Sequence, residues 1–234
     1  MLSILQLQSK TQLENSMQLT KQKGFTLVEI AIVLVIVGLL IGGVLKGQEM
    51  ITNAKLKRIE SDNAGIAAAM FSYQDRYLQL PGDDSDAANR FTVYGGAAAN
   101  DGNGDGTIGL GNDWDLSIAT AWAVGTQETL KFFGHLRAAG LVPGGGTDST
   151  RPTNAYGGQI GIQDGSLAIA GHVTIFGAIE GPIAKIVEAR LDDGDPATGR
   201  IQAAELTATV DMDAAATPAV SYLDAKRYHM AFRL

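Results

Sequence analysis

Apolar positions change their pattern twice along the first third of the chain. From Phe25 to Leu45 there are 21 residues whose only charge is Glu29. At ~1.5 Å per residue, a helix of that length spans the ~30 Å hydrocarbon core of a bilayer. A cleaved secretory signal would carry a shorter apolar run of ~7–15 residues ending at a small-residue site. This run is longer and ends in Gly42-Gly43-Val44-Leu45-Lys46, so it reads as an anchor that stays. Beyond Lys46 the pattern turns amphipathic: Ile59, Ile66, Met70, Tyr73 and Tyr77 recur at helical spacings, while Lys57, Arg58, Glu60, Asp62 and Gln74 fall elsewhere on the wheel. Nothing stops the helix before Leu80-Pro81-Gly82. Gly42, Gly43 and Gly47 are soft points at ~1 kcal/mol each relative to alanine.

Residues 81–114 are rich in Gly, Asp, Asn and Ala with little periodicity and read as a long loop. Thr126 is placed to cap a helix over Gln127–Ala139, with Leu130, Phe133, Leu136 and Arg137 on its inward face and Gly140 at its end. A second helix starts at Pro182 and runs to Leu191, before Asp192-Asp193-Gly194. Alternation and β-branching predict strands over Gln159–Gln163, Leu167–Phe176, Ile201–Val210, Ala219–Leu223 and Tyr228–Arg233. The expected fold class is α+β: a long helix laid across an antiparallel sheet of about four or five strands, with loop-rich insertions.

Charge and composition narrow the function. The net charge is −7, split into +2 for residues 1–24 and −9 for the rest. That acidic balance disfavours nucleic acid as a partner. The basic cluster Lys55, Lys57 and Arg58 fits a solvated face beside Glu60 and Asp62 better than a phosphate or lipid site. With no cysteine, thiol catalysis, disulfides and Cys-type metal sites are excluded. His135, His172 and His229 show no metal-ligand spacing. Gly144-Gly145-Gly146-Thr147 lacks the lysine of a phosphate loop. No enzyme is expected.

Glu29 is the anomaly. A carboxylate in a bilayer costs ~2.5–3.5 kcal/mol at mid-depth and less near the end, and it marks function by default. Snorkelling to the interface is the alternative, against which the short glutamate stem tells. Lys-Gly-Phe-Thr-Leu-Val-Glu followed by an unbroken apolar run resembles the processing site of type IV pilins and type II secretion pseudopilins. The resemblance implies a leader over 1–24, with translation starting at Met17, and cleavage between Gly24 and Phe25 by a membrane prepilin peptidase that N-methylates Phe25. It also implies an N-terminus on the cytoplasmic side, which the lysines flanking both ends of the span leave open. Glu29 would neutralise the amine of a neighbouring subunit's Phe25, being costly alone and satisfied only in the polymer. The segments YQDRY…LPGDD, ETLKFFGHLRAAGLVPG and LDDGDPATGRI also resemble pilin-like heads.

The sharpest motif outside the helix is NDGNGDGTIGLGND. Asp101, Asn103 and Asp105 before Gly106 give the D-x-N-x-D-G spacing that converges oxygens on a hard cation, with Thr107 offering its carbonyl. Asn112 stands where a bidentate glutamate is expected, and Asp113 or Asp115 can substitute. An Asn/Asp/Gly turn without an ion is the competing reading. Several type II pseudopilins use a calcium loop where pilins use a disulfide, which makes calcium the expected cofactor. Asp192, Asp193 and Asp195 read better as a helix-ending turn than as a second metal site.

The expected organisation is therefore a leader (1–24), a long helix (25–80) with a transmembrane and assembly half (25–45), and a periplasmic or extracellular head (81–234). The expected function is that of a structural filament subunit. It would be held in the bacterial inner membrane before assembly and lie in the periplasm or on the cell surface afterwards. Its partners would be other pilin subunits, the prepilin peptidase and the inner-membrane assembly platform. The rival is a minor, tip-located or membrane-anchored binding module for a surface, secreted protein or glycan, with Trp114, Trp122 and Tyr94 as contact surface.

Overall fold

A computed structural model describes residues 24–109, 127–206 and 217–234. Helix α1, Leu27–Tyr77, is unbroken, so its glycines do not interrupt it. By contacts the chain divides into Met1–Met50 and Ile51–Leu234, a boundary that falls inside α1. In the first unit every residue from Gly24 to Lys46 is exposed. Helix α1 is long and apolar enough there to cross a membrane.

In the second unit the predicted stripe faces the core: Ile59, Ile66, Met70 and Tyr73 enter the main core, Tyr77 packs against it, and Leu56, outside the predicted stripe, joins them. Two residues of the basic cluster have local partners, and Glu60 pairs outside it. Lys55 lies 4.8 Å from the Tyr156 ring centroid, Arg58 pairs with Asp62 at 3.5 Å, and Glu60 pairs with Arg190 at 3.6 Å. Leu78, in the left-handed region at φ 57°, ends the helix.

The sheet contains β1 (Ile160–Ser166), β2 (Ile169–Glu180), β3 (Ile201–Glu205) and β4 (Arg227–Arg233) in the order β1-β2-β4-β3, all pairs antiparallel. Period-two alternation sorts its residues. Ile160, Ile162, Phe176, Met230, Phe232, Ile201 and Ala203 join the α1 core, while Val173, Ile175, Ala204 and Ala231 form a smaller cluster with Leu167 and Ile169. The α+β layout, a long helix with an antiparallel sheet, is the expected one.

Several boundaries differ. Strand β1 runs on to Ser166, and β2 reaches Glu180 because an irregularity between Phe176 and Ile179, with Ala178 at φ 57°, lets pairing with β4 resume. No strand forms over Ala219–Leu223. Its backbone is held by other means: Ala219 N–H donates to Ala203 O at 2.7 Å, Leu223 N–H donates to the Tyr228 hydroxyl at 2.7 Å, and that hydroxyl donates to Ser221 O at 3.1 Å. A side-chain hydroxyl thus takes up backbone groups that a ladder would otherwise use. Strand β3 stops at Glu205, and residues 207–210 of the predicted strand lie outside the described residues.

The stretch after Pro81 is more structured than the expected loop. It contains a helical turn, α2 (Ala87–Arg90), and 3-10 turns at Thr92–Tyr94 and Ala98–Asn100. Helix α3 (Glu128–Ala138) is buried on all sides over Glu128–Leu136, not along one face, and begins after Gln127 in a left-handed conformation. The proposed cap Thr126 lies outside the described residues. Helix α4 (Gly181–Leu191) has Pro182 in its first turn, as predicted.

Candidate processing and assembly segment, and the acidic loop

Thr26 and Glu29 close the N-terminus of α1 reciprocally. The Glu29 N–H donates to Thr26 Oγ1 at 3.2 Å, while the Thr26 N–H and hydroxyl both donate to Glu29 Oε2, at 2.9 and 2.8 Å. With Leu27 as the first helical residue, this is a capping box that satisfies donors a helix start otherwise leaves orphaned. The Thr-x-x-Glu spacing was the available sequence signal. It corrects the view of Glu29 as costly alone, because the acid has partners in its own chain before any polymer forms. Both bonds fall on Oε2, so Oε1 can take a second partner. Gly24 and Phe25 precede the helix and are exposed, Phe25 at 81 %. The bond between them is thus outside regular structure.

The acidic loop is organised around residues that its own spacing does not name. Asp83, from Leu-Pro-Gly-Asp-Asp, is buried, and its carboxylate accepts the N–H groups of Gly104 (2.6 Å), Asp105 (3.1 Å) and Gly106 (2.8 Å). Glu128, at the start of α3, is also buried and accepts the N–H groups of Asn103 and Gly109, each at 3.0 Å. One carboxylate oxygen from each of Asp83, Asp105 and Glu128 lies within 4.8 Å of the others. Close approach of backbone makes this possible: a Cβ on Gly102 would lie 2.2 Å from the Asp83 carbonyl carbon.

The expected ligands do not all converge. Asp101 Oδ1 accepts the Ala88 N–H at 2.6 Å, which ties the loop to α2. Asn103 donates its amide to Asp105 Oδ2 at 2.8 Å, and Asp105 Oδ1 accepts from the Thr107 N–H and hydroxyl at 2.8 and 2.6 Å. Asn112, Asp113 and Asp115 lie outside the described residues. Burial raises the Asp83 carboxyl against the Gly106 and Gly104 N–H groups, and burial likewise raises Glu128, helped by Asp83 and Asp105. The Thr107 bonds hold Asp105 below the usual range. Lys131, buried beside them, donates to Asp101 O at 2.7 Å and is pushed down to about 8 by burial. Carboxylate oxygens are the ligand type of hard cations, and Asp83, Asp105 and Glu128 are the residues that could hold one.

Neighbouring contacts fix this corner. Asp84, fully buried, accepts the Tyr73 hydroxyl at 2.7 Å, Arg90 Nε at 2.9 Å and the Asp86 N–H at 3.0 Å. His135 Nδ1 accepts the Gly82 N–H at 2.9 Å, leaving Nε2–H to donate to Asn100 O at 2.8 Å. Tyr94, offered by the rival reading as contact surface, is buried against Phe91 and His135. Trp114 and Trp122 lie outside the described residues.

Residues 19–45 match the family model of the prokaryotic N-terminal methylation motif. No curated protein and no solved structure matches the chain. The matched segment holds Gly24, Phe25, Glu29 and the exposed apolar part of α1, and it is a prepilin signal of the type IV pilin-like kind. A membrane-anchored, pilin-like or pseudopilin subunit is what this segment supports.

Proposed function

We propose that the chain is a structural subunit of a type IV pilus or secretion pseudopilus, stored in the inner membrane with its N-terminus cytoplasmic and polymerised through the first half of α1. The observation that carries this reading is the methylation motif lying on a helix whose apolar residues Leu27–Leu45 are all exposed. A surface so apolar needs lipid or other helices around it. Prepilin peptidase would cut between Gly24 and Phe25 and methylate the new amine. In the filament, that amine on one subunit would meet Glu29 of the next, where Oε1 is available beside the Thr26 cap. Poor screening at low dielectric strengthens such a pair. The role is assembly, with the assembly platform and other pilin subunits as partners. Filament yield tests it: Glu29→Ala is expected to remain membrane-inserted and to drop out of sheared or overproduced filaments. Incorporation at the wild-type level would refute the role of the acid.

The calcium expectation carries over with a changed ligand set, Asp83, Asp105 and Glu128. Calcium would offset the repulsion of these carboxylates and hold the 101–109 loop against α3. Chelator-treated protein is expected to melt lower than protein in millimolar calcium, since a ligand at 100 times its dissociation constant adds ~2.7 kcal/mol. An unchanged melt would remove calcium from the account and leave the loop as a turn closed by backbone bonds.

A further inference from the structure

A second carboxylate group lies at the C-terminal end of α4, away from the acidic loop in sequence. Glu188, in the last turn, is 0 % exposed. The Tyr222 hydroxyl donates to its Oε2 at 2.8 Å, while its Oε1 is buried and has no hydrogen-bond partner among the described residues. One carboxylate oxygen from each of Glu188, Asp192 and Asp193 lies within 4.8 Å of the others. The turn that follows closes on itself: Asp192 Oδ2 accepts the N–H groups of Arg200 and Ile201, and Asp193 accepts the Asp195 N–H at 2.9 Å and the Thr198 hydroxyl at 2.7 Å. Asp192 Oδ2 is filled by its two N–H groups, whereas each Asp193 oxygen keeps a lone pair after its one bond. What the turn leaves unsatisfied is the buried oxygen of Glu188. Arg190, the basic residue nearest in sequence, is directed to Glu60 at 3.6 Å.

Three features favour a cation at this point. The C-terminus of a helix carries partial negative charge, which favours cations and opposes carboxylates. An unpaired buried acceptor loses its hydration without compensation. All the available donors are oxygens, the ligand type that hard cations take. We propose that Glu188, Asp192 and Asp193 hold a calcium ion. Such an ion would join α4 to the Asp192–Ile201 turn that leads into β3 and, through Glu188 and Tyr222, to the segment before β4. That is a staple for a domain without disulfides. A proton is the competing occupant, because burial, against the Tyr222 bond, and then Asp192, Asp193 and Asp195 push the Glu188 carboxyl up to about 8. This site depends neither on the acidic loop nor on the assembly reading.

The test counts calcium bound to the full chain in detergent micelles, after chelator treatment, by titration calorimetry above pH 8. Glu188→Gln is expected to bind one ion fewer than wild type. Asp193→Asn, an exposed substitution that keeps an acceptor for the Asp195 N–H, is expected to weaken one ion selectively, and it decides the matter alone if Glu188→Gln fails to fold. An unchanged count and affinity in the folded variants overturns the site. So does wild type that binds no calcium at millimolar concentration, the result for a proton or for a turn that needs no ion.

Discussion

Replacing Arg90 with methionine removes the guanidinium that pairs with Asp84 at 2.9 Å and lies 5.0 Å from the Tyr77 ring centroid. Asp84 is fully buried. Burial raises its carboxyl, but the Arg90 and Tyr73 bonds outweigh burial and hold it below the usual range. Removing one partner of a buried pair costs ~3–5 kcal/mol. The carboxylate has an escape, which is to take up a proton. From a reference value near 3.9, that costs about 4.2 kcal/mol at pH 7, so this figure caps the electrostatic loss there. At pH 5 the cap falls to about 1.5 kcal/mol. The Arg90→Met penalty is therefore expected to be about 3–4 kcal/mol at pH 7 and to shrink toward about 1.5 kcal/mol at pH 5. Adding Asp84→Asn should recover part of the pH 7 loss. Urea unfolding of the full chain in micelles, followed by near-UV circular dichroism of the Tyr73, Tyr77 and Phe91 cluster, reads this directly. A penalty below about 1 kcal/mol at pH 7, or one that does not change with pH, would refute the reasoning.

Three further outcomes follow from single contacts. His135 is pushed down to about 4 by burial, so its stabilisation is complete above the unfolded value near 6.5 and is lost as pH falls through 4. Relative to His135→Asn, wild type should lose about 2.5 kcal/mol between pH 7.5 and 4.5, and a gap independent of pH would contradict this. Gly102→Ala places a Cβ 2.2 Å from the Asp83 backbone and should displace the 101–109 loop, lowering stability by more than about 2 kcal/mol in the same melts. Ile59→Ala, at a site with 0 % exposure, should cost about 2–4 kcal/mol through the cavity it leaves between α1 and the sheet.

The long helix was legible because its two faces obey simple rules: an all-round apolar run for lipid, and then Ile59, Ile66, Met70 and Tyr73 at helical spacing for a core. Strand identity was legible from alternation, but strand ends were not. Pairing beyond Phe176 depends on a backbone irregularity, and Ala219–Leu223 is held by the Tyr228 hydroxyl, which propensity does not register. The acidic loop shows the same limit at a candidate site. Its spacing pointed to Asp101, Asn103 and Asp105, whereas folding adds Asp83 and Glu128 from 18 residues before and 27 after Asp101 and turns Asp101 to Ala88. Spacing reports convergence only within one segment. At Glu29 the local signal was present, as Thr-x-x-Glu, and it makes the acid a helix cap as well as a candidate assembly partner.

The central claim is that Gly24–Phe25 is the bond whose cleavage turns a stored anchor into a filament subunit. Mass spectrometry of the N-terminal peptide, from chain produced together with prepilin peptidase, tests it most directly. The mature chain is expected to begin at Phe25 and to carry one methyl group on its amine. A chain that keeps residues before Phe25, or begins at any other position, would contradict it.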